Sequence, residues 1–296
     1  MHSIILRQIP AFILGFIILA GCQKPADIAL TPEVIDDNLE VFAVALPDSN
    51  IAVSSVDSSG VLPEDQVKFD GSCVIQSITW DAGSTVLSAA YSRVFFADSI
   101  VRVLGRRVGM GGLDVGTLSL NGSLMMKWPH RIPVGRIFGG DTSITRGVEY
   151  LTDLTQSYLS DHAYTWTVIS RLVPVFTVGV QTPEDLTVLS PRGGAVIPRT
   201  KDLDIRWNGG KGKMSVIVSQ YDPLQKTVKP ILELRVKANN GKAVVPAKLL
   251  STLPQQRYFV LTFILANRKE VTVTQPATGT ILVQAASVHN SYVEVR

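Results

Sequence analysis

The side chains of this 296-residue sequence best suited to nucleophilic or metal chemistry are four histidines and two cysteines, and their spacing gathers neither into a motif. His2 lies in the first apolar stretch. His130, His162 and His289 stand far apart, without the i, i+4 or cysteine-spaced pattern that zinc sites show. Asp161-His162 is a fragment of a nucleophile triad, yet neighbours on a strand point to opposite faces and no Gly-x-Ser-x-Gly elbow accompanies them. Cys73, between Ser72 and Val74-Ile75, has the setting of a small buried hydrophobe rather than of a thiol with a general base. The cluster Gly109-Met110-Gly111-Gly112 lacks the Gly-Lys-Ser/Thr ending of a phosphate loop and reads as a flexible loop. Asp114 beyond it is a single imperfect copy of a calcium-binding β-roll repeat with no tandem period, and Asp57, Asp65 and Asp70 lack EF-hand spacing, so these last three read as solvated turn residues. Arg106-Arg107 reads as a solvated strand end. No catalytic residue, metal ligand or cofactor is expected.

Recognition chemistry is better represented. Trp128, Tyr150, Tyr158, Tyr221 and Tyr292 could stack on sugar rings, although most strand aromatics pack into cores. Pro129 and Asp222-Pro223 place Trp128 and Tyr221 near loop edges, which makes these two the candidate ligand contacts.

Composition bounds what must position them. Hydrophobic residues make up 46% and charged residues 18%, enough for packed cores and too apolar for disorder. A formal charge of +3, with no basic tract, argues against a nucleic-acid partner.

The first apolar run, Ile9 to Leu19, follows a short segment carrying Arg7 and ends in Leu19-Ala20-Gly21-Cys22. It is too short for a comfortable transmembrane helix, which needs about 20 apolar residues. The four residues resemble the lipobox of a bacterial lipoprotein. That resemblance implies a signal peptide over 1–21, lipid on the Cys22 sulfur, cleavage before Cys22 and acylation of the new amine. Gln23 in place of Asp resembles the pattern sorted to the outer membrane in enteric-type bacteria. A lipidated tether over 22–37 follows, polar and interrupted by Pro25 and Pro32. With Cys22 taken by lipid, Cys73 has no intramolecular partner, so folding rests on core burial.

From Asn38 onward the pattern is all-β. Leu39 to Leu46, Ile51 to Val56, Ser72 to Trp80 and Val86 to Phe96 read as strands, and Asn121-Gly122 joins Val115–Leu120 to Leu124–Trp128 as a hairpin. Asn121-Gly122-Ser123 is read as that turn and not as a glycosylation site. Gly135 to Gly147 reads as a long loop, and Thr31 to Leu39 and Val148 to Leu159 as helical candidates.

A boundary falls over Val173 to Pro183. Beyond it come Leu189-Ser190-Pro191 with Gly194, Leu203-Asp204-Ile205-Arg206-Trp207, Met214-Ser215-Val216-Ile217-Val218 and the Tyr258 to Leu261 strand. These resemble an immunoglobulin-like or fibronectin-type-III-like β-sandwich, without the cysteine pair of antibody domains. The expected architecture is therefore two β-sandwich-like domains in tandem: a β-rich domain over 38–180 and an immunoglobulin-like one over 184–296.

The function expected is non-enzymatic: a lipid-anchored envelope protein, of the outer membrane, that binds a glycan, polymer or protein. Two alternatives are a polysaccharide- or peptide-degrading enzyme with its site in 38–180, and an accessory lipoprotein of a secretion or envelope-assembly machine. An enzyme should show convergent carboxylates or a histidine dyad in a cleft. A binding module should show an exposed aromatic strip or a flat sheet edge.

Overall fold

Apolar runs broken by Gly, Asn, Asp and Pro become strands through most of the described residues. The computed structural model describes residues 38–43, 69–134, 142–169, 175–210, 212–224, 227–273 and 279–296. The expected strand Ile51 to Val56 and the lipobox lie outside these residues, as does the helical candidate Thr31 to Leu39 up to residue 37.

The first strands are β1 (Leu39–Ala43), β2 (Gly71–Asp81), β3 (Val86–Val103), β4 (Arg106–Gly112), β5 (Thr117–Leu120) and β6 (Ser123–Leu124). Next come β7 (Met126–Pro133), β8 (Ser143–Asp153), β9 (Ala163–Ile169), β10 (Phe176–Gln181), β11 (Thr187–Ser190) and β12 (Val196–Ile197). The last are β13 (Leu203–Asn208), β14 (Lys213–Asp222), β15 (Thr227–Val236), β16 (Lys242–Val245), helix α1 (Ala247–Thr252), β17 (Tyr258–Val273) and β18 (Gly279–Val295).

They form an 11-stranded sheet, ordered β1-β15-β14-β17-β18-β2-β3-β4-β8-β7 with β12 on β18. A 4-stranded sheet, β10-β9-β5-β6, and a 3-stranded sheet, β11-β13-β16, complete the fold. The all-β, sandwich-type architecture expected from the sequence is thus present.

Alternation along β18 shows how the layers stack. Its odd-numbered residues share one face. Val295 lines the core under the 3-stranded sheet with Ile205, Val218 and Phe259. Ile281, Val283 and Ala285 enter a second core with Cys73, Val94, Leu118, Trp166 and Val168, under the 4-stranded sheet. Both small sheets therefore cover the same face of the large one. Between the cores the strand turns polar, with Ser287, His289 and Ser291. There the segment entering β11 crosses, and the Leu186 amide donates to Ser287 Oγ at 2.9 Å.

The division expected between 38–180 and 184–296 is bridged by main-chain hydrogen bonding. β18 runs parallel to β2 from Ile281↔Gly71 to Ser291↔Asp81. Pro32 to Arg296 forms one compact unit. β2 reads as a nearly continuous apolar run because both its faces are covered: Cys73 and Ile75 on one side, Val74 and Ile78 on the other, are all buried.

Several local expectations are corrected. Val148 to Leu159 is not a helix: β8 continues to Asp153, pairing with β3 and β7, before a turn at 155–157. Leu151, Leu154 and Tyr158 fall at helical spacing only because a strand gives way to a turn among them. The loop expected over Gly135 to Gly147 has strand from Ser143 on, while 135–141 lie outside the described residues. The glycines at 109–112 are strand β4, not a flexible loop. Gly112 pairs with Gly147, and a Cβ on Gly147 would stand 1.7 Å from Gly112 O. These glycines serve close backbone approach rather than mobility. β18 runs unbroken through the polar residues His289, Asn290 and Ser291.

Other readings match. Asn121 and Gly122 hold φ of 47° and 82°, the conformation a two-residue hairpin turn requires. The return strand expected over Leu124–Trp128 is divided: Ser123 and Leu124 pair with β5, while Met126 to Trp128 belong to β7 in the large sheet. Trp207 is buried, and its Nε1 donates to Asn239 Oδ1 at 2.8 Å. Ala247–Thr252 forms a short helix between β16 and β17.

Candidate functional site

β3 carries Ala90, Ser92, Val94 and Phe96 into the core, so Tyr91, Arg93 and Phe95 face the other way. β8 pairs with β3 by setting Leu151 opposite Arg93, and β7 sets Trp128 opposite Glu149. Cross-strand partners share a face. Arg93, Phe95, Trp128, Glu149 and Leu151 therefore stand on one open surface of the large sheet, where β7 is its last strand.

Charge on this surface is organised around one carboxylate oxygen. Arg93 donates through Nε and Nη2 to Glu149 Oε2, each at 2.8 Å. His130 Nδ1 lies 3.5 Å from the same oxygen, and its ring packs on Phe95 with centroids 4.6 Å apart. Burial pushes the Glu149 carboxyl up, but the His130 hydrogen bond and the Arg93 charge outweigh it and hold the group below the usual carboxylate range. Among the described residues Oε1 of Glu149 takes no hydrogen bond. Trp128 is 51% exposed, and Met126 on the same strand 60%. The result is a flat apolar strip beside a fixed polar network. Arg93 engages Oε2 and leaves Oε1 open.

Tyr221 is not part of this surface. It packs edge-on against Tyr292, ring centroids 5.7 Å apart. β17, β18, β2, β3 and β8 separate its strand from β7, so the two candidate ligand contacts do not form one site. Tyr150 and Tyr158 turn inward. Tyr150 OH donates to Asp114 Oδ1 and accepts from the Val115 amide, while Lys127 holds the same carboxylate at 2.7 Å. Asp114, though exposed, thus ties the connection leaving β4 to Tyr150 and Lys127. Asp70 accepts from the Thr280 amide at 3.0 Å. Asp57, Asp65 and Cys22 lie outside the described residues.

The Asp161-His162 fragment does not close. Asp161 Oδ1 accepts from Gln181, and His162 stacks edge-on against Tyr164. Cys73 is fully buried, and burial pushes its thiol far up.

A pairing the sequence did not signal is Asp81 with His289, 3.8 Å apart and both buried at the seam between the two cores. Asp81 accepts from the amides of Gly83 and Gly193. Gly83 and Gly193 pack so closely that a Cβ on Gly83 would stand 2.7 Å from Gly193 O. More than 200 residues separate the partners in sequence, so only the parallel ladder reveals them. Solvent is largely excluded from the pair. No protein-family model matches the chain, and no curated protein matches it either.

Proposed function

We propose that the protein is a non-enzymatic, lipid-anchored envelope protein that binds a glycan on the open face around Trp128. The observation that carries this reading is the half-exposed Trp128 ring beside a preordered Arg93–Glu149–His130 network. A sugar ring offers an apolar face for stacking and hydroxyls for directional hydrogen bonds, and this surface supplies both. Glu149 Oε1 is the acceptor available for a hydroxyl. Strand addition by a protein partner is a poorer fit, since Pro129 and Pro133 remove donors from β7.

In this reading the lipid sits on Cys22, the protein belongs to the outer membrane, and residues 184–296 act as an immunoglobulin-like spacer. The spacer reading draws support from strand order: β11-β13-β16 faces β15-β14-β17-β18, and β12 joins β18 in parallel. In immunoglobulin lettering these are A-B-E against C′-C-F-G, and α1 lies at the E–F corner.

The test is titration of the full chain with peptidoglycan fragments and surface polysaccharides, followed by tryptophan fluorescence. Trp128→Ala should weaken binding by about tenfold or more, the scale of a buried aromatic anchor. Unchanged binding in that variant, or no binding to any glycan, would overturn the proposal. Loss of palmitate labelling in Cys22→Ser checks the anchor separately.

A further inference from the structure

We infer that the β3–β4 hairpin is a docking arm for an anionic lipid surface. Its inner side is seated firmly, with Val101 and Val108 buried against Ile132 and Val134. Its outer side is not what a solvated hairpin needs. Arg102 stands directly opposite Arg107 in the ladder, a like-charge pair that works against the hairpin. Arg106 follows at the tip. Among the described residues no carboxylate pairs with any of these three arginines. Arg102 donates to Gly105 O and Arg107 to Met110 Sδ, while Asp98, at the base of the arm, bonds to Ser99.

The turn is more telling. Leu104 and Gly105 hold φ of 50° and 77°, positions that Asn or Gly fills without penalty. Leucine gains nothing there from packing, because Leu104 is 79% exposed. Ile100, on the same arm, is 48% exposed and faces Met110 in the ladder. Exposed aliphatic groups ringed by arginines match the headgroup boundary of a bilayer: phosphates accept from guanidinium groups while Leu104 and Ile100 enter the acyl region. A soluble polyanion would satisfy the arginines and leave the aliphatic tip in water, so lipid is the occupant the arm favours.

The experiment uses the full chain carrying Cys22→Ser and Leu104→Cys, labelled at position 104 with a nitrobenzoxadiazole probe. Cys73 is fully buried and stays unlabelled in the folded protein. Vesicles of phosphatidylcholine alone are compared with vesicles of equal parts phosphatidylcholine and phosphatidylglycerol. Emission should shift to the blue and rise only on the anionic vesicles. The combination of Arg102→Gln, Arg106→Gln and Arg107→Gln should abolish the shift, with circular dichroism unchanged. Should that combination fail to fold, Arg106→Gln alone should weaken the shift. The proposal is overturned by no shift on anionic vesicles, by equal shifts on both kinds, or by a shift that survives loss of the arginines. It is equally overturned if inorganic polyphosphate binds the arm while vesicles leave the emission unchanged.

Discussion

Asp81 and His289 meet across the parallel β2–β18 ladder with 3.8 Å between Oδ2 and Nε2, in a seam from which solvent is largely excluded. Burial drives the imidazole down from 6.5, against the pull of the Asp81 charge. Burial also pushes the Asp81 carboxyl up, but the Gly193 and Gly83 amides and the charges of His289 and Arg192 bring it below 3.8. The pair therefore rests as a neutral ring beside a carboxylate near neutral pH.

That arrangement makes stability depend on pH with one sign. A histidine whose folded pKa is depressed binds fewer protons than in the unfolded chain, so stability is complete above 6.5 and declines as pH falls below it. Asp81 adds a second decline as pH falls below 3.8. The midpoint of thermal unfolding should hold near neutral pH and fall in two stages on acidification, an upper one from His289 and a lower one that Asp81 shares with Asp114, Glu149 and Glu294. His289→Gln should remove the upper step and leave the lower one, as read by circular dichroism melts across pH.

Gly147 is expected to be irreplaceable. Its φ is 77°, and an added Cβ would collide with the Gly112 carbonyl, a backbone atom that no rotamer change can move. Gly147→Ala should cost more than about 2 kcal/mol. Urea denaturation should show a lowered midpoint with an unchanged slope. Gly105→Ala, with open space around its Cβ position, should cost only the backbone part of that penalty.

Arg199 ties the exit of α1 to the sandwich. Its guanidinium donates to the carbonyls of Leu250, Leu253, Pro254 and Gln256, at 2.7 to 3.3 Å. Arg199→Ala leaves those carbonyls without their donor and should destabilise by about 2–3 kcal/mol. Arg199→Lys keeps the charge but loses the planar fork, and should restore roughly half of that. The same denaturation experiment orders the three proteins.

Cys73 should be chemically silent in the folded state. With the thiol fully buried and its ionisation suppressed, a thiol reagent should react at this position only at the rate of unfolding. Denaturant should release the reaction at once. Rapid labelling without denaturant would contradict the burial.

Strand placement was legible where one face is wet and the other dry: Ile205 and Trp207 alternate with charged neighbours and both face the core. The hairpin at Asn121-Gly122 was legible because positive φ selects those residues. What escaped was long-range pairing. His289-Asn290-Ser291 reads as a break in an apolar run, yet each residue is buried. Asn290 Oδ1 accepts from Thr262, and His289 faces Asp81. Polar residues in a strand look like a turn until their partners are known. Trp128 was singled out for the loop edge implied by Pro129, and it lies on a sheet-edge strand. Arg93, Phe95 and Glu149 were missed beside it, because a surface assembled from three strands leaves no local spacing to read.

The β17–β18 hairpin, whose outer half supplies Ile281, Val283 and Ala285 to the core beneath the 4-stranded sheet, imposes an order on the chain's biogenesis. β2 is made early, but its parallel neighbour spans Gly279–Val295, so the first half waits with an unpaired strand edge until those residues have been synthesised. Closing so long a loop is slow, and an open apolar edge invites aggregation meanwhile. A chain lacking β18 therefore keeps the β2 edge open, whatever else of it has folded.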